Sequence, residues 1–407
     1  MTEKIFGDVE NRINELPICP HNEFCGGCIY QEMKYEEQAL QKGRDVLDFM
    51  KQKDVDLSTL EEAFLPEKLI VAPKLYGYRN KMEYTFGDQV KDGDMTLGMH
   101  QKGRFMSIIT VDNCQLVDDD FNLILRETLD FCNDRGYGFY HKKTHVGLMR
   151  NLIIRRGIRT GELLVNIVTS SQVQFDEVGY VEMLESVKDK LNNTIVGVIH
   201  TFNDNIADAV NPEKIKVLSG RDYYMEEIAG LKFKVSAFSF FQTNVEAAER
   251  LYLDAVSLID DFEGKVVYDL FCGTGTISQI LAQKAKKVIG VELVEEAVEA
   301  AKENAALNGL DNCHFIAGDV FKVLDDMPEP PDVIVVDPPR VGIMPKALDK
   351  IIACGVEQIL YISCNPKTLA DNLNYLNYYG YKPIKLMAYD NFPMTKHTEC
   401  VSILSKK

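Results

Sequence analysis

The sequence lacks any run of about 18 consecutive apolar residues, the length that a membrane-spanning helix needs. Its first residues, 1–17, contain neither an apolar core nor a small-residue cleavage site, so we expect no secretory signal. Positive charge is also scarce, because 45 Lys and Arg stand against 62 Asp and Glu, a formal net charge of −17. This deficit argues against electrostatic binding of nucleic acid by the chain as a whole, although a local basic face remains compatible with it.

The rest of the composition is that of an ordinary globular protein, with 46% apolar and 26% charged residues. Collagen-like and disordered chains are therefore excluded, and 407 residues suffice for two or three domains. We expect the ten cysteines to lie in a reducing cytoplasm, where metal binding or catalysis explains them better than disulfides do. We expect no membrane association and infer no obligate protein partner.

The second half of the chain alternates predicted strands and helices. Strands are expected at 266–269, 288–292, 314–317, 333–336 and 359–362, with helices between them. This alternation is typical of a parallel sheet covered on both faces. The last two segments, 381–389 and 399–404, are too close together for a helical crossover, so we expect an antiparallel hairpin at the edge of the sheet.

The first half has no such alternation. A cysteine-rich segment and a charged helical stretch, 35–53, precede short strand-like runs that glycine interrupts. This pattern favours an α+β domain with antiparallel sheet. We therefore predict an α/β protein of two domains, 1–235 and 236–407, in which the second is doubly wound.

A glycine-rich loop, Asp269–Thr276, follows the first strand of the second half. Its glycines allow a ligand close to the backbone, and the next helix offers unpaired N–H groups. Glu292 ends the second strand, where a carboxylate can accept both hydroxyls of a ribose. A nicotinamide enzyme would use the same arrangement, but Ser278 stands where its third glycine belongs. Asp269 would repel a pyrophosphate and suits the ammonium group of S-adenosylmethionine, while Asp319 is placed to meet adenine.

The fourth predicted strand runs into Asp337-Pro-Pro-Arg340. The prolines stop the strand and shape a rigid rim at the carboxyl edge of the sheet, where such folds bind ligands. An aromatic residue at position 340 would favour methylation of an amino group. With arginine there, something else must activate the methyl acceptor.

The fifth predicted strand ends at Ser363 and leads into Cys364, which precedes a helix. The helix dipole and Lys367 are expected to give this thiol thiolate character. Glu399 opens the last strand on the same rim. A cysteine nucleophile and a carboxylate base are therefore expected to meet there.

Five motifs together resemble the RNA uracil-C5 methyltransferase family. They occur in the family's order, at Phe240–Asn244, Asp269–Gly275, Asp337–Arg340, Ser363–Pro366 and His397–Val401. The resemblance implies a Rossmann-like class I S-adenosylmethionine-dependent methyltransferase domain that acts on RNA. It assigns Cys364 as nucleophile and Glu399 as base. Cofactor contacts are expected from the residues at the matching positions and from Asp319 after the third strand: Gln242, Phe271, Thr276 (where some members have Asn), Glu292, Asp319 and Asp337.

The cysteine-rich segment has the spacing of metal ligands. Cys19, Cys25 and Cys28 need a fourth ligand, for which Cys114 is the candidate. Zinc would accept four thiolates, but zinc ribbons usually pair two Cys-x2-Cys knuckles, and this segment has one. An iron–sulfur cluster tolerates the uneven spacing, and some members of the family carry a [4Fe–4S] cluster in this pattern. We favour the [4Fe–4S] cluster, in a structural or RNA-positioning role.

An RNA-binding surface is expected in the first half. Residues 141–161 contain six basic residues and no acid, and Arg79, Lys81 and Arg104-Phe105 add basic and aromatic groups. Such groups suit contact with phosphates and stacking of unpaired bases. Many members of the family begin with a β-barrel RNA-binding module of the TRAM type, which we expect to be absent because 18 residues precede Cys19. A short chain with a cluster looks most like members that act on a loop of 23S ribosomal RNA.

Three other functions stay open from the sequence. The first is a transfer-RNA uracil-C5 methyltransferase, which mapping of the methylated RNA would identify. The second is a non-enzymatic iron–sulfur RNA-binding factor, which would form no covalent complex with 5-fluorouridine RNA. The third is an amine N-methyltransferase, which Arg340 disfavours.

Overall fold

The computed structural model describes residues 18–406 apart from 61–65, 67, 208, 209 and 328. The expectation of no signal sequence rests on residues 1–17 and lies outside these residues. The helices are α1 (Tyr35–Gln52), α2 (Asp119–Asp134), α3 (Glu177–Val187), α4 (Val245–Ser257), α5 (Thr276–Ala282), α6 (Glu295–Leu307), α7 (Val320–Val323), α8 (Pro345–Ala353) and α9 (Pro366–Tyr378), with short 3₁₀ turns at Lys188–Lys190 and Leu324–Asp326.

Two seven-stranded sheets and one hairpin account for the strands of the described residues. The first sheet contains β1 (Lys81–Asp88), β2 (Met95–Gln101), β3 (Arg104–Thr110), β4 (Met149–Arg156), β5 (Glu162–Thr169), β6 (Thr194–Phe202) and β7 (Lys214–Gly220). The hairpin is β8 (Tyr223–Ile228) with β9 (Leu231–Ser236). The second sheet contains β10 (Val266–Leu270), β11 (Lys287–Glu292), β12 (Cys313–Ala317), β13 (Val333–Val336), β14 (Gln358–Ser363), β15 (Tyr381–Tyr389) and β16 (Glu399–Lys406).

The second sheet has the order β12-β11-β10-β13-β14-β16-β15. Its first five strands are parallel, and β16 pairs antiparallel with both β14 and β15. The predicted doubly wound sheet and its closing hairpin are therefore confirmed. Strands β10 and β13 are buried throughout, as short apolar strands are when helices cover both faces.

The first sheet has the order β3-β2-β1-β4-β5-β6-β7, and β5–β6 is its parallel pair. Helices α2 and α3 cover one of its faces around a core that includes Tyr84, Phe121 and Tyr180. The predicted α+β organisation of this half is thus confirmed. No helix of the described residues is long and apolar enough to cross a membrane.

Packing crosses the predicted domain boundary in both directions. Helix α1, from the first half, packs with α8 and α9 on the second sheet. The β8–β9 hairpin joins the core on the other face of that sheet, with α4, α5 and α6. Asn304 of α6 and Asn308, directly after this helix, accept hydrogen bonds from the backbone N–H groups of Lys234 and Lys232 at 2.8 and 2.9 Å. The division at residue 235 stays a prediction.

Candidate active site

A cavity of about 1450 Å³ opens along the carboxyl edge of the second sheet. The glycine-rich loop, the ends of β13, β14 and β16, and the segment before α4 form its walls. The parallel strands bring these segments to one edge, as this type of fold requires. The cavity is lined by all eight residues predicted to hold the cofactor or to catalyse: Gln242, Phe271, Thr276, Glu292, Asp319, Asp337, Cys364 and Glu399.

The glycine-rich loop is bent by left-handed backbone. Phe271 has a φ of 68° and Gly275 a φ of 76°, directly before α5 begins at Thr276. A Cβ on Gly275 would lie 2.7 Å from the Phe315 ring and 3.0 Å from the Ala301 Cβ. Glycine is therefore required there both by backbone geometry and by the close packing of α6 and β12.

The carboxylate of Glu292 is fixed at the rim of the cavity. It accepts hydrogen bonds from the N–H groups of Gly273 at 3.0 Å and Val294 at 2.9 Å. Asp319 caps α7 by accepting from the Phe321 N–H at 3.0 Å. Each oxygen keeps a lone pair, so both carboxylates can still accept from a ligand's hydroxyl or amino group.

Three carboxyl groups with raised pKa values lie at the bottom of the site. Burial raises the pKa of Glu399 and that of Asp269 to about 7 each. Burial, followed by the charges of Glu399 and Asp269, raises the pKa of Asp337 well above its usual range. Asp269 lies behind the loop, where Oδ2 accepts from Ser278 and Oδ1 has no hydrogen-bond partner among the described residues.

This arrangement fits a cationic ligand. A buried group of like charges is costly unless a positive charge joins it. The sulfonium and ammonium groups of S-adenosylmethionine would supply that charge near Asp337 and Glu399, which line the cavity. Asp269, which the sequence suggested as the partner of the ammonium group, is fully buried behind the loop and is not among the lining residues. The residues present therefore fit this cofactor.

Cys364 and Glu399 stand on neighbouring strand ends. In the antiparallel register of β14 and β16, Ser363 lies opposite Cys400, which brings Cys364 and Glu399 to the same rim. Burial raises the pKa of the Cys364 thiol to about 11, and the charges of Glu399 and Asp337 add to this effect. The prediction that α9 and Lys367 give this thiol thiolate character is therefore wrong, because burial and two carboxylates raise its pKa.

Arg340 is a cation that opposes this effect, and the sequence did not reveal its contact with Cys364. Its guanidinium hydrogen-bonds the Cys364 thiol and lowers its pKa. The same guanidinium donates to Nδ1 of His397 at 3.0 Å. Burial and Arg340 lower the pKa of His397 to about 4, so this ring is a neutral acceptor near pH 7. The arginine in place of an aromatic residue was the available signal.

Tyr252 is a second residue that the sequence did not reveal. It is buried in α4, and its hydroxyl accepts a hydrogen bond from Nε2 of Gln242 at 2.9 Å. The side chain of Asn80 donates to the Gln242 carbonyl oxygen at 3.0 Å. Gln242 is thus held from both sides in the cavity wall. A tyrosine in a helix interior carries no sequence signal for such a role.

Comparisons with known proteins agree with this geometry. Residues 140–321 match the family described as tRNA (Uracil-5-)-methyltransferase, and residues 261–402 match a methyltransferase domain. An uncharacterized RNA methyltransferase of Clostridium acetobutylicum is 46% identical over 391 residues, which cover 96% of this chain and 84% of that protein. One from Caldanaerobacter subterraneus is 48% identical over 408 residues, covering 98% and 88%. The chain belongs to this family of RNA methyltransferases.

A solved structure shows the same fold. The tRNA (uracil-54, C5)-methyltransferase of Pyrococcus abyssi, in complex with S-adenosyl-L-homocysteine, aligns with a TM-score of 0.76 and 24% identity. The alignment covers 93% of this chain and 86% of that one. The predicted class I methyltransferase fold is thus confirmed, and the protein is an S-adenosylmethionine-dependent RNA methyltransferase.

The four N-terminal cysteines of this methyltransferase lie near one another. Cys19, Cys25, Cys28 and Cys114 are free and half-buried, and the charges of the other three add to burial in raising the pKa of Cys28. Among the residues that the structure describes, no three His, Cys, Asp or Glu side chains are arranged to hold a metal ion. The thiols approach one another without forming a finished ligand set.

The basic run at 141–161 is largely structural. Arg150 and Arg155 are 7% and 2% exposed, and their guanidinium groups donate to backbone carbonyls, among them those of Asn203 and Ser239. Arg156 pairs with Asp118 at 2.6 Å, and Arg159 with Glu249. The prediction of an RNA surface is therefore wrong for Arg150 and Arg155, because their guanidinium groups are buried against backbone carbonyls. Arg156 and Arg159 are partly exposed, so for them it stays a prediction. Lys142 and Lys143 stay at the surface.

Proposed function

We propose that this methyltransferase modifies C5 of a uridine in a loop of 23S ribosomal RNA through a covalent bond between Cys364 Sγ and C6 of the base. The observation that supports it most is the meeting of Cys364, Glu399 and Asp337 in one cavity wall. A thiol nucleophile, a base and a cation-attracting carboxylate are the three groups that this chemistry needs.

Cys364 opens the reaction by adding to C6 as the thiolate, and the electron pair of the C5–C6 double bond moves toward the O4 oxygen. C5 of the resulting enolate then attacks the methyl carbon, and the bond between that carbon and the sulfonium sulfur breaks. Glu399 takes the C5 proton, and the electron pair left behind restores the double bond while Cys364 leaves as the thiolate. S-adenosylmethionine, when bound, would supply the methyl group, and the electron pair of the broken bond would stay on its sulfur.

The pKa values suit this order of events. A Glu399 pKa of about 7 places the base near the working pH, where it both accepts and releases a proton. The thiol needs help to ionise, because its pKa is about 11. Arg340 and the positive charge that Asp337 attracts would both lower it. We therefore expect the thiolate to form only when the cofactor is bound.

The remaining cavity residues are assigned to cofactor binding. Glu292 would accept the ribose hydroxyls and Asp319 the adenine amino group. Phe271 would provide an apolar contact, and Thr276 would present the first N–H groups of α5. Gln242, held by Tyr252, would contact the cofactor where it meets the base.

We also propose that Cys19, Cys25, Cys28 and Cys114 bind a [4Fe–4S] cluster. The uneven spacing and the mutual proximity of the thiols support this assignment. Anaerobically purified protein should be brown and contain iron and sulfide, and Cys25→Ala or Cys114→Ala should lose both. Stoichiometric zinc without sulfide would contradict the assignment.

Glu399→Gln tests the mechanism. The amide keeps the shape of the side chain but has no basic oxygen, so the variant should add to uridine, transfer the methyl group and stall as a protein–RNA adduct. A denaturing gel with methyl-labelled cofactor should show a labelled band shifted by RNA. The band should be absent in the Cys364→Ala, Glu399→Gln double variant. Full turnover without a shifted band would mean that Glu399 is not the base.

The choice of RNA is tested by mapping 5-methyluridine in ribosomal and transfer RNA with and without the gene. Loss of the modification from 23S RNA is expected. Transfer RNA is the second candidate, because the matched family and the Pyrococcus abyssi enzyme both carry tRNA in their descriptions. Loss from transfer RNA alone would overturn the choice of 23S RNA and leave the chemistry intact.

A further inference from the structure

The β2–β3 hairpin presents an ordered aromatic ring to solvent. Phe105 is 64% exposed, and its ring stacks on that of His100 with centroids 4.7 Å apart and planes 6° from parallel. Nδ1 of His100 donates to the Phe105 carbonyl oxygen at 2.6 Å, which fixes the pair across the hairpin. The ring is thereby held in place against His100 while more than half of the residue stays exposed.

Basic side chains surround this ring. Lys102 and Arg104 are exposed on either side of the hairpin turn, and Lys143 is exposed nearby. The ammonium group of Lys142 lies 4.8 Å from the centre of the Phe105 ring. In a chain with a net charge of −17, this cluster is a local positive face that suits phosphate groups.

A small cavity of about 150 Å³ lies directly beside the ring pair. His100 and Lys142 form one side of it, and Glu83, Asn151 and Arg150 contribute to the rest. The guanidinium of Arg150 is fixed by the carbonyl oxygens of Asn203 and Asn205 at 2.8 and 2.7 Å. Arg150 is thus already paired with the backbone, and the cavity offers the ammonium group of Lys142, the amide of Asn151 and the carboxylate of Glu83, which together can hydrogen-bond the edge of a nucleobase.

Strand β1 connects this cavity to the active site. Its alternate residues Lys81, Glu83 and Thr85 share one face of the sheet. Thr85 pairs with Asn151 at the small cavity, and Lys81 pairs with Arg155 about 13 Å further along the strand. Arg155 donates to the carbonyl oxygen of Ser239, which lines the methyl-transfer cavity. The two cavities are thus the ends of one continuous strip.

We propose that this strip binds single-stranded RNA next to the target uridine and that Phe105 stacks on one of its bases. The inference rests on the proposed function in one respect: the strip lies beside the cavity that receives the uridine. A duplex would not bind to the strip in this way, because its paired bases offer no free face for stacking on Phe105. Base stacking on an aromatic side chain tolerates any sequence, so the strip holds the substrate without selecting it.

The test is fluorescence anisotropy with a labelled oligouridylate of about 12 nucleotides, at several salt concentrations. Phe105→Ala should weaken binding by about fivefold or more, and Phe105→Tyr should restore it. Lys142→Ala should weaken binding and reduce the salt slope by about one. The matched control is Tyr378→Ala, which removes an aromatic ring that is 86% exposed on α9 in the other half of the chain. Its binding should equal that of the parent protein.

Three results would overturn the inference. Binding by Phe105→Ala within twofold of the parent protein would show that no base stacks there. An equal loss on an RNA duplex of the same length would show a general charged surface. Loss in Lys142→Ala alone would show phosphate contact without stacking.

The binding assay needs no methyl transfer. A protein that binds as expected but methylates no uridine would contradict the proposed function alone. A protein that methylates RNA with an unchanged KM in Phe105→Ala would contradict the strip alone.

Discussion

Charged side chains are paired with partners at the first sheet, whereas at the edge of the second sheet like charges lie together. In the first half, arginines that belong to β4 or follow it are paired with backbone carbonyls or with single carboxylates, as Arg155 is with the Ser239 carbonyl oxygen and Arg156 with Asp118. At the edge of the second sheet, Asp337, Glu399 and Asp269 lie together, and Arg340 is the cation that faces them. Charged groups that already have partners stabilise the fold. Charges held near one another without enough partners mark the place where a ligand completes the site.

The largest expected effect is on activity at the second sheet. Cys364→Ala should abolish methyl transfer while cofactor affinity and melting temperature stay close to those of the parent protein, because the hydrogen bond that the thiol loses comes from the exposed Arg340. Cys364→Ser should be almost as inactive, since a hydroxyl is a far weaker nucleophile at neutral pH. Turnover and calorimetric cofactor titration would measure both properties. Cys354→Ala, directly after α8, is the control and should keep full activity. Turnover by Cys364→Ala would contradict the assignment of Cys364 as the nucleophile.

The largest expected effect on stability comes from a buried ion pair. Lys42 of α1 contacts Asp390 at 2.7 Å and the Phe392 carbonyl oxygen at 3.1 Å, with neither ion-pair side chain exposed. Lys42→Met would leave the Asp390 charge buried alone, so the free energy of unfolding should fall by about 3–5 kcal/mol. Denaturant unfolding measures this. Lys53→Met, which breaks the exposed pair with Asp371, should cost no more than about 1 kcal/mol; equal losses would contradict the argument.

For the buried carboxyl groups at the second sheet we expect the opposite effect, because removal of the charge should raise the stability of the protein. The pKa of Glu399 is raised to about 7 in the folded protein from 4.5, so the folded state binds more protons between these values. Stability should therefore fall as pH rises from about 4.5 to 7. Glu399→Gln lacks this loss and should be more stable than the parent protein at pH 8, by about 3 kcal/mol at most, and no more stable at pH 4. Thermal unfolding at both pH values decides it, and a pH-independent difference would refute the assignment.

A smaller effect is expected from the residue that holds Gln242. Tyr252→Phe removes the hydroxyl that accepts from Gln242 and changes nothing else in the packing of α4. The KM for S-adenosylmethionine should rise severalfold, corresponding to about 1 kcal/mol, while the melting temperature changes little. Steady-state kinetics would detect this change. Tyr268→Phe is the matched control, because that hydroxyl bonds the Glu329 carbonyl oxygen away from the cavity, and its KM should not change.

The smallest effect should come from the basic run of the first half. Arg156→Met breaks the pair with Asp118 and should lower the free energy of unfolding by about 1 kcal/mol, because both side chains are partly exposed. RNA affinity measured by anisotropy should stay within twofold. A large loss of RNA affinity would instead show that Arg156 belongs to an RNA-binding surface, as the sequence predicted. Lys143→Met is the control that should leave stability unchanged.

Much of this protein follows from the sequence alone. Short apolar runs such as those of β10 and β13 can only be buried strands, and their alternation with helices determines a parallel sheet. Since parallel strands end at the same edge, the sequence also predicts that Glu292, Asp337 and Cys364 line one cavity. The family was predictable because five spaced motifs occur in order.

Other features were decided only by the tertiary structure. The sequence lists charges but not their partners, so Arg155 looked like an RNA contact until Ser239 and Tyr224 were seen beside it. The ionisation of Cys364 depends on how deeply it lies and on Glu399 and Arg340, which come from other strands and loops. The stacked pair of His100 and Phe105 exists because the β2–β3 turn folds them together. Local patterns determine which elements form, whereas burial and distance between remote residues determine what their side chains can do.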